Sequence, residues 1–61
     1  MTYEVITRFE GGFMQTFKYE NKSVEEITKL FRAANENNAK FKAVVLTAKC
    51  LETGKVDVID L

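Results

Sequence analysis

Two runs of alternating residues flank Gly11-Gly12, and that arrangement constrains the fold more than any other feature of the chain. Tyr3, Val5, Thr7 and Phe9 alternate with Glu4, Ile6 and Arg8, and Phe13, Gln15, Phe17 and Tyr19 alternate with Met14, Thr16 and Lys18. A period of two, rich in β-branched and aromatic residues, marks strands. A two-residue Gly-Gly turn would set Val5 opposite Lys18 and split the aromatic residues between faces. A three-residue Glu10-Gly11-Gly12 loop, with Gly12 supplying the positive φ of a bulge, instead sets Phe9 opposite Phe13, Val5 opposite Phe17 and Tyr3 opposite Tyr19. The sequence therefore predicts a hairpin with one aromatic face.

Ser23-Val24-Glu25-Glu26 follows, a capping box in which the Ser hydroxyl and the Glu carboxylate each take the other residue's amide. Val24, Ile27, Leu30, Phe31 and Ala34 continue at helical spacing, with Glu25, Lys29, Arg32 and Glu36 on the other side. The run Asn35-Glu36-Asn37-Asn38 should stop the helix, because Asn is a poor interior residue and tolerates the left-handed conformation of a cap. Residues 41–50 form the longest apolar stretch, and the consecutive apolar positions at its centre predict an inner strand buried on both faces. Glu52-Thr53-Gly54-Lys55 turns the chain into a last strand, residues 56–61. Its register stays open: a three-residue loop pairs Lys49 with Asp57 and Ala48 with Val58, and a two- or four-residue loop pairs Ala48 with Ile59 and Leu46 with Leu61.

The chain thus reads as one α+β domain, residues 1–61, in the order ββαββ. With both hairpins antiparallel, strands two and three run parallel, and a right-handed crossover has to separate or join them. Placing strand one between them gives the spatial order 2-1-3-4, antiparallel throughout, with one helix on one face. This order is preferred over 1-2-3-4.

Composition limits the chemistry. The chain has 61 residues with no His, Trp or Pro and a single Cys, which removes the usual general base, the usual metal ligands and any internal disulfide. Cys50 has no base to activate it and is expected in the core or at an edge. Asp57, Asp60 and Glu52 are not spaced like a calcium loop. No catalytic residue, cofactor or metal is expected, and the chain is read as a non-enzyme. Nine basic and nine acidic residues cancel, so no overall field draws nucleic acid or anionic lipid. Lys18, Lys22, Lys40 and Lys42 remain as a possible local patch, and Gly11 to Tyr19 invites comparison with an RNA-binding strand, although Glu10 stands where a basic residue belongs. No segment reaches the length of a membrane span, no basic leader precedes an apolar run, and the lone thiol suits a reducing cytoplasm.

One helix covers one sheet face, and the apolar residues exceed one face. Ile6, Met14 and one of Val44 and Val45 must point away from the helix, so these four positions form the candidate interface. The expected function is that of a protein-binding accessory or inhibitor protein, acting through a sheet face or edge, first as a homodimer and then on an unknown host protein. The runner-up is a small nucleic-acid-associated protein. In type, the neutral, Lys- and Asn-rich, chemistry-poor chain resembles the accessory proteins that phages and mobile elements of low-GC bacteria encode.

Overall fold

Gly11 and Gly12 both take the positive φ that a side chain resists, at +93° and +89°. Gly12 donates to the carbonyl of Phe9, and Phe9 donates to that of Phe13, which closes the three-residue loop between β1 (Thr2–Phe9) and β2 (Met14–Glu20). Val5 faces Phe17 and Tyr3 faces Tyr19, the register expected from the aromatic alternation. These features come from a computed structural model that describes residues 1–37 and 40–61.

The helix α1 (Val24–Asn37) opens with the capping box: Glu26 N–H donates to Ser23 Oγ and Ser23 N–H to Glu26 Oε1, both at 3.1 Å. Its buried stripe differs from the expected one. Ile27, Thr28 and Phe31 are buried, whereas Leu30 is 47% exposed and Ala34 also faces solvent. Leu30 precedes Phe31 by one residue, about 100° around the helix, and Phe31 occupies the line that continues Ile27. Thr28 can be buried because its hydroxyl donates to the Val24 carbonyl at 2.8 Å.

The helix ends inside the Asn-rich run, as expected. It continues through Asn37, and Asn38 lies outside the described residues. Asn35 uses its amide as a peptide group would: Oδ1 accepts from Ala43 N–H at 2.8 Å and Nδ2 donates to Ala43 O at 2.9 Å. That pair fastens the end of α1 to the start of β3.

β3 (Ala43–Cys50) and β4 (Val56–Asp60) complete a four-stranded sheet in the order β2-β1-β3-β4, antiparallel at each junction. Phe41 lies outside β3, with φ +54°. β3 is not buried on both faces. Arg8 faces Val45 and Phe9 faces Ala43, so Val44 is an extra residue without a partner on β1. This bulge lets Ala43 and Leu46 both turn toward the helix while Val44 stays exposed. The consecutive apolar residues thus reflect an irregular strand rather than a second covered face.

The second hairpin follows neither of the sequence registers. Ala48 faces Asp57 and Lys49 faces Val56, around a four-residue loop, 51–54. Cys50 N–H donates to Lys55 O, Gly54 N–H donates to Cys50 O, and Gly54 takes φ +76°. Lys55 belongs to the ladder rather than the turn, and the shift turns Val56 and Val58 away from the helix. The core consists of Val5, Ile27, Phe31, Ala43, Leu46 and Ala48. Phe17 and Tyr19 close one side of it by edge contacts with Phe31, at centroid distances of 5.4 and 6.3 Å.

Candidate binding face

Alternate side chains of a strand leave opposite faces of its sheet. With Val5, Leu46 and Ala48 under the helix, the registers fix three rows on the other face. Met14, Arg8, Val45 and Asp60 form the first. Thr16, Ile6, Thr47 and Val58 form the second. Lys18, Glu4, Lys49 and Val56 form the third, in which two cations flank an anion. The first two rows surround a shallow depression lined by Ile6, Arg8, Met14, Val45 and Thr47.

Of the four candidate residues, Ile6, Met14 and Val45 meet in that depression. Val44 is exposed but does not line it, because it occupies the bulge. The face also holds two residues that sequence reasoning missed: Val56, 50% exposed, and Val58, 67% exposed. Met14, at the opposite edge of the sheet, is 60% exposed. Only the register of the second hairpin reveals the two valines: a four-residue loop was among the expected lengths, but with Ala48 opposite Ile59 rather than Asp57.

The remaining side chains show where chemistry is weak. The Cys50 thiol is buried and points toward Met1 Sδ at 3.8 Å and Glu52 Oε1 at 3.6 Å, both long contacts. Glu52 itself accepts the Thr2 N–H at 2.7 Å, and that bond holds its carboxyl below the usual glutamate range. Among the described residues no group of His, Cys, Asp and Glu is arranged to hold a metal. Lys42 and Lys22 lie at opposite ends of the sheet. Lys42 is bonded through its backbone to Glu10 at the Gly-Gly end, and Lys22 lies with Met1 and Tyr3 at the other. Phe17 and Tyr19, the residues that suggested base stacking, are engaged with Phe31 under the helix. A different aromatic group stands at the hairpin tip: Phe13 stacks on Phe9 at 5.0 Å and meets the edge of Phe41 at 5.6 Å.

These features define a small α+β protein: a four-stranded antiparallel sheet in the order 2-1-3-4, one helix on one face, and the other face uncovered. A scan against protein-family models finds no match, and searches of curated proteins and of solved structures find no significant match. Among the described residues, no helix is long and apolar enough to cross a membrane.

Proposed function

We propose that the chain is a small, non-enzymatic protein-binding module of the cytoplasm, an accessory or inhibitor protein of the type that phages and mobile elements encode. Its working surface is the uncovered sheet face, and it associates first with a second copy of itself, through that face or an edge beside it. One observation carries this reading: Ile6, Met14 and Val45 surround a depression that Arg8 and Thr47 also line, with Val58 next to Thr47 and with Lys18 and Lys49 in the adjoining row. Exposed apolar area bounded by polar residues is the usual composition of a protein-binding surface. Engagement of Phe17 and Tyr19 by the helix favours a protein partner over stacked bases.

Two measurements test the reading. Sedimentation equilibrium from tens to hundreds of micromolar should show a mass rising toward twice the 7.0 kDa of one chain; a constant monomer mass refutes self-association. Capture of a host protein from lysate should be lost with Ile6→Lys, which charges the centre of the face. Equal capture by both chains refutes the face as the working surface.

A further inference from the structure

β2 and β4 are the two edges of the sheet, and they are not equally guarded. In an antiparallel ladder, alternate residues of an edge strand hold their N–H and C=O groups outward. Leu61 donates to Val44 and Cys50 donates to Lys55, so Lys55, Asp57, Ile59 and Leu61 face β3. Val56, Val58 and Asp60 therefore turn their backbone groups outward. On β2 the Phe9–Phe13 bond fixes the same parity, and Met14, Thr16, Lys18 and Glu20 are outward. There two charged side chains, Lys18 and Glu20, flank the open groups. Between Val56 and Asp60, β4 has no Lys, Arg, Pro or bulge; Lys55 precedes it, and its outward residues are two exposed valines and one charged residue, Asp60, at its end. Natural edge strands are normally protected by charged residues, Pro or bulges.

We infer that β4 pairs antiparallel with β4 of a second copy, with Val58 on the two-fold axis, so that two sheets join into one of eight strands. This rests on the reading of the chain as a self-associating module and assigns the edge, rather than the face, to that contact. Hydrogen bonding selects the register. Only a two-fold at Val58 matches all three outward residues, Val58 with the partner's Val58 and Val56 with the partner's Asp60, for about six backbone bonds. Charge selects it as well. Centred one residue earlier, the pairing would set Asp57 against the partner's Asp57, and like charges directly opposite destabilise a sheet.

With Val58 on the axis, Asp57 instead lies opposite the partner's Ile59. Ile59 borders the groove between α1 and β4, which is lined also by Lys29 and Arg32, with Glu25 as its one anion. The partner's Asp57 thus arrives beside two cations. Arg32 already extends to this edge, where it reaches the Asp60 carbonyl at 3.5 Å. A carbonyl has a second lone pair for the N–H of the partner's Val56. Pairing over five residues buries less than the ~1,200 Å² of a typical stable complex, which places this contact among weak, transient associations.

Val58→Pro tests the pairing directly, because it deletes the outward N–H on the axis and leaves the β3-facing bonds of Asp57 and Ile59 intact. Its dimerisation, measured by sedimentation equilibrium on protein shown to be folded by circular dichroism, should weaken at least tenfold. Thr16→Pro makes the same deletion on the β2 edge and should leave the association unchanged. In the unaltered chain, amide exchange at Val56, Val58 and Asp60 should slow as concentration rises, while Thr16 and Lys18 keep their rates. A dimer that persists in folded Val58→Pro, or slowing at β2 instead of β4, overturns the edge pairing while self-association stands. A monomer at hundreds of micromolar overturns both.

Discussion

Replacing Asn35 by Ala removes both partners of the Ala43 peptide at once. The two bonds are short, 2.8 and 2.9 Å, and Ala43 is only 4% exposed, so water cannot readily take the place of the lost amide. A typical net hydrogen bond contributes about 0.5–1.5 kcal/mol, and a buried group left unsatisfied costs about 1–3 kcal/mol. Ala is the better helix former by up to about 0.7 kcal/mol, which offsets part of the loss. The balance is a destabilisation of about 2–3 kcal/mol. A chain of this size has roughly 3–9 kcal/mol in total, so the variant should lose about a fifth of its stability or more. Urea unfolding followed by far-ultraviolet circular dichroism measures it, with Asn37→Ala as the companion. Among the described residues Asn37 reaches only the Ala33 carbonyl, on the exposed side of the same helix, so its loss should be neutral or slightly stabilising. If Asn35→Ala stays within about 0.5 kcal/mol of the unaltered chain, or if the two variants lose the same amount, the amide pairing contributes no stability.

Phe31→Ala should cost about 3 kcal/mol or more, because it removes the ring shared by Phe17 and Tyr19, whereas Leu30→Ala should cost under about 1 kcal/mol; equal shifts in urea midpoint would put the wrong helical line against the sheet. Ser23→Ala should lose about 1 kcal/mol, with thermal melts of Ser23→Ala, Glu26→Ala and the double variant showing less than additive loss. The Ser23 backbone N–H, then its hydroxyl, holds the Glu26 carboxyl below its usual range. The unfolded chain therefore takes up that proton first, and the box's contribution is present at neutral pH and lost as pH falls below about 4.3, a loss that Ser23→Ala should diminish in acid titrations. Thr7 is fully buried and its Oγ1 has no partner, so Thr7→Val, which keeps the shape, should raise stability by about 1 kcal/mol in the same urea assay.

What the sequence made legible was local or governed by connection rules. Gly11-Gly12 and the aromatic alternation determine the first register, Ser23 and Glu26 determine the helix start, and antiparallel hairpins joined by one helix leave few strand orders. What it hid depends on contacts distant in sequence. Whether Leu30 or Thr28 faces the sheet depends on the angle at which the helix lies across β1 and β3. The Asn-rich run gives the helix end, but the tie from Asn35 to Ala43 shows only when the two are side by side. The bulge at Val44 is indistinguishable from a strand buried on both sides when only apolar character is visible. The same limits apply to the candidate face: Ile6, Met14 and Val45 follow from alternation, while Val56 and Val58 depend on a loop whose first residue, Leu51, resembles strand.

The position of β1 between β2 and β3 has a consequence for how fast the native state can be reached. Its pairing with β2 needs only a three-residue loop, but its pairing with β3 joins Tyr3 to Cys50 and Val5 to Ala48. Closing so long a segment costs chain entropy before any contact rewards it. During synthesis the first hairpin and α1 are complete before Leu46 and Ala48 emerge. Until then the inner edge of β1 has no partner and its aromatic side has only the helix for cover. The search of β3 for β1 is the step expected to limit folding, so in stopped-flow refolding substitutions at Val5 or Ala48 should slow folding, whereas substitutions in β4 should chiefly hasten unfolding.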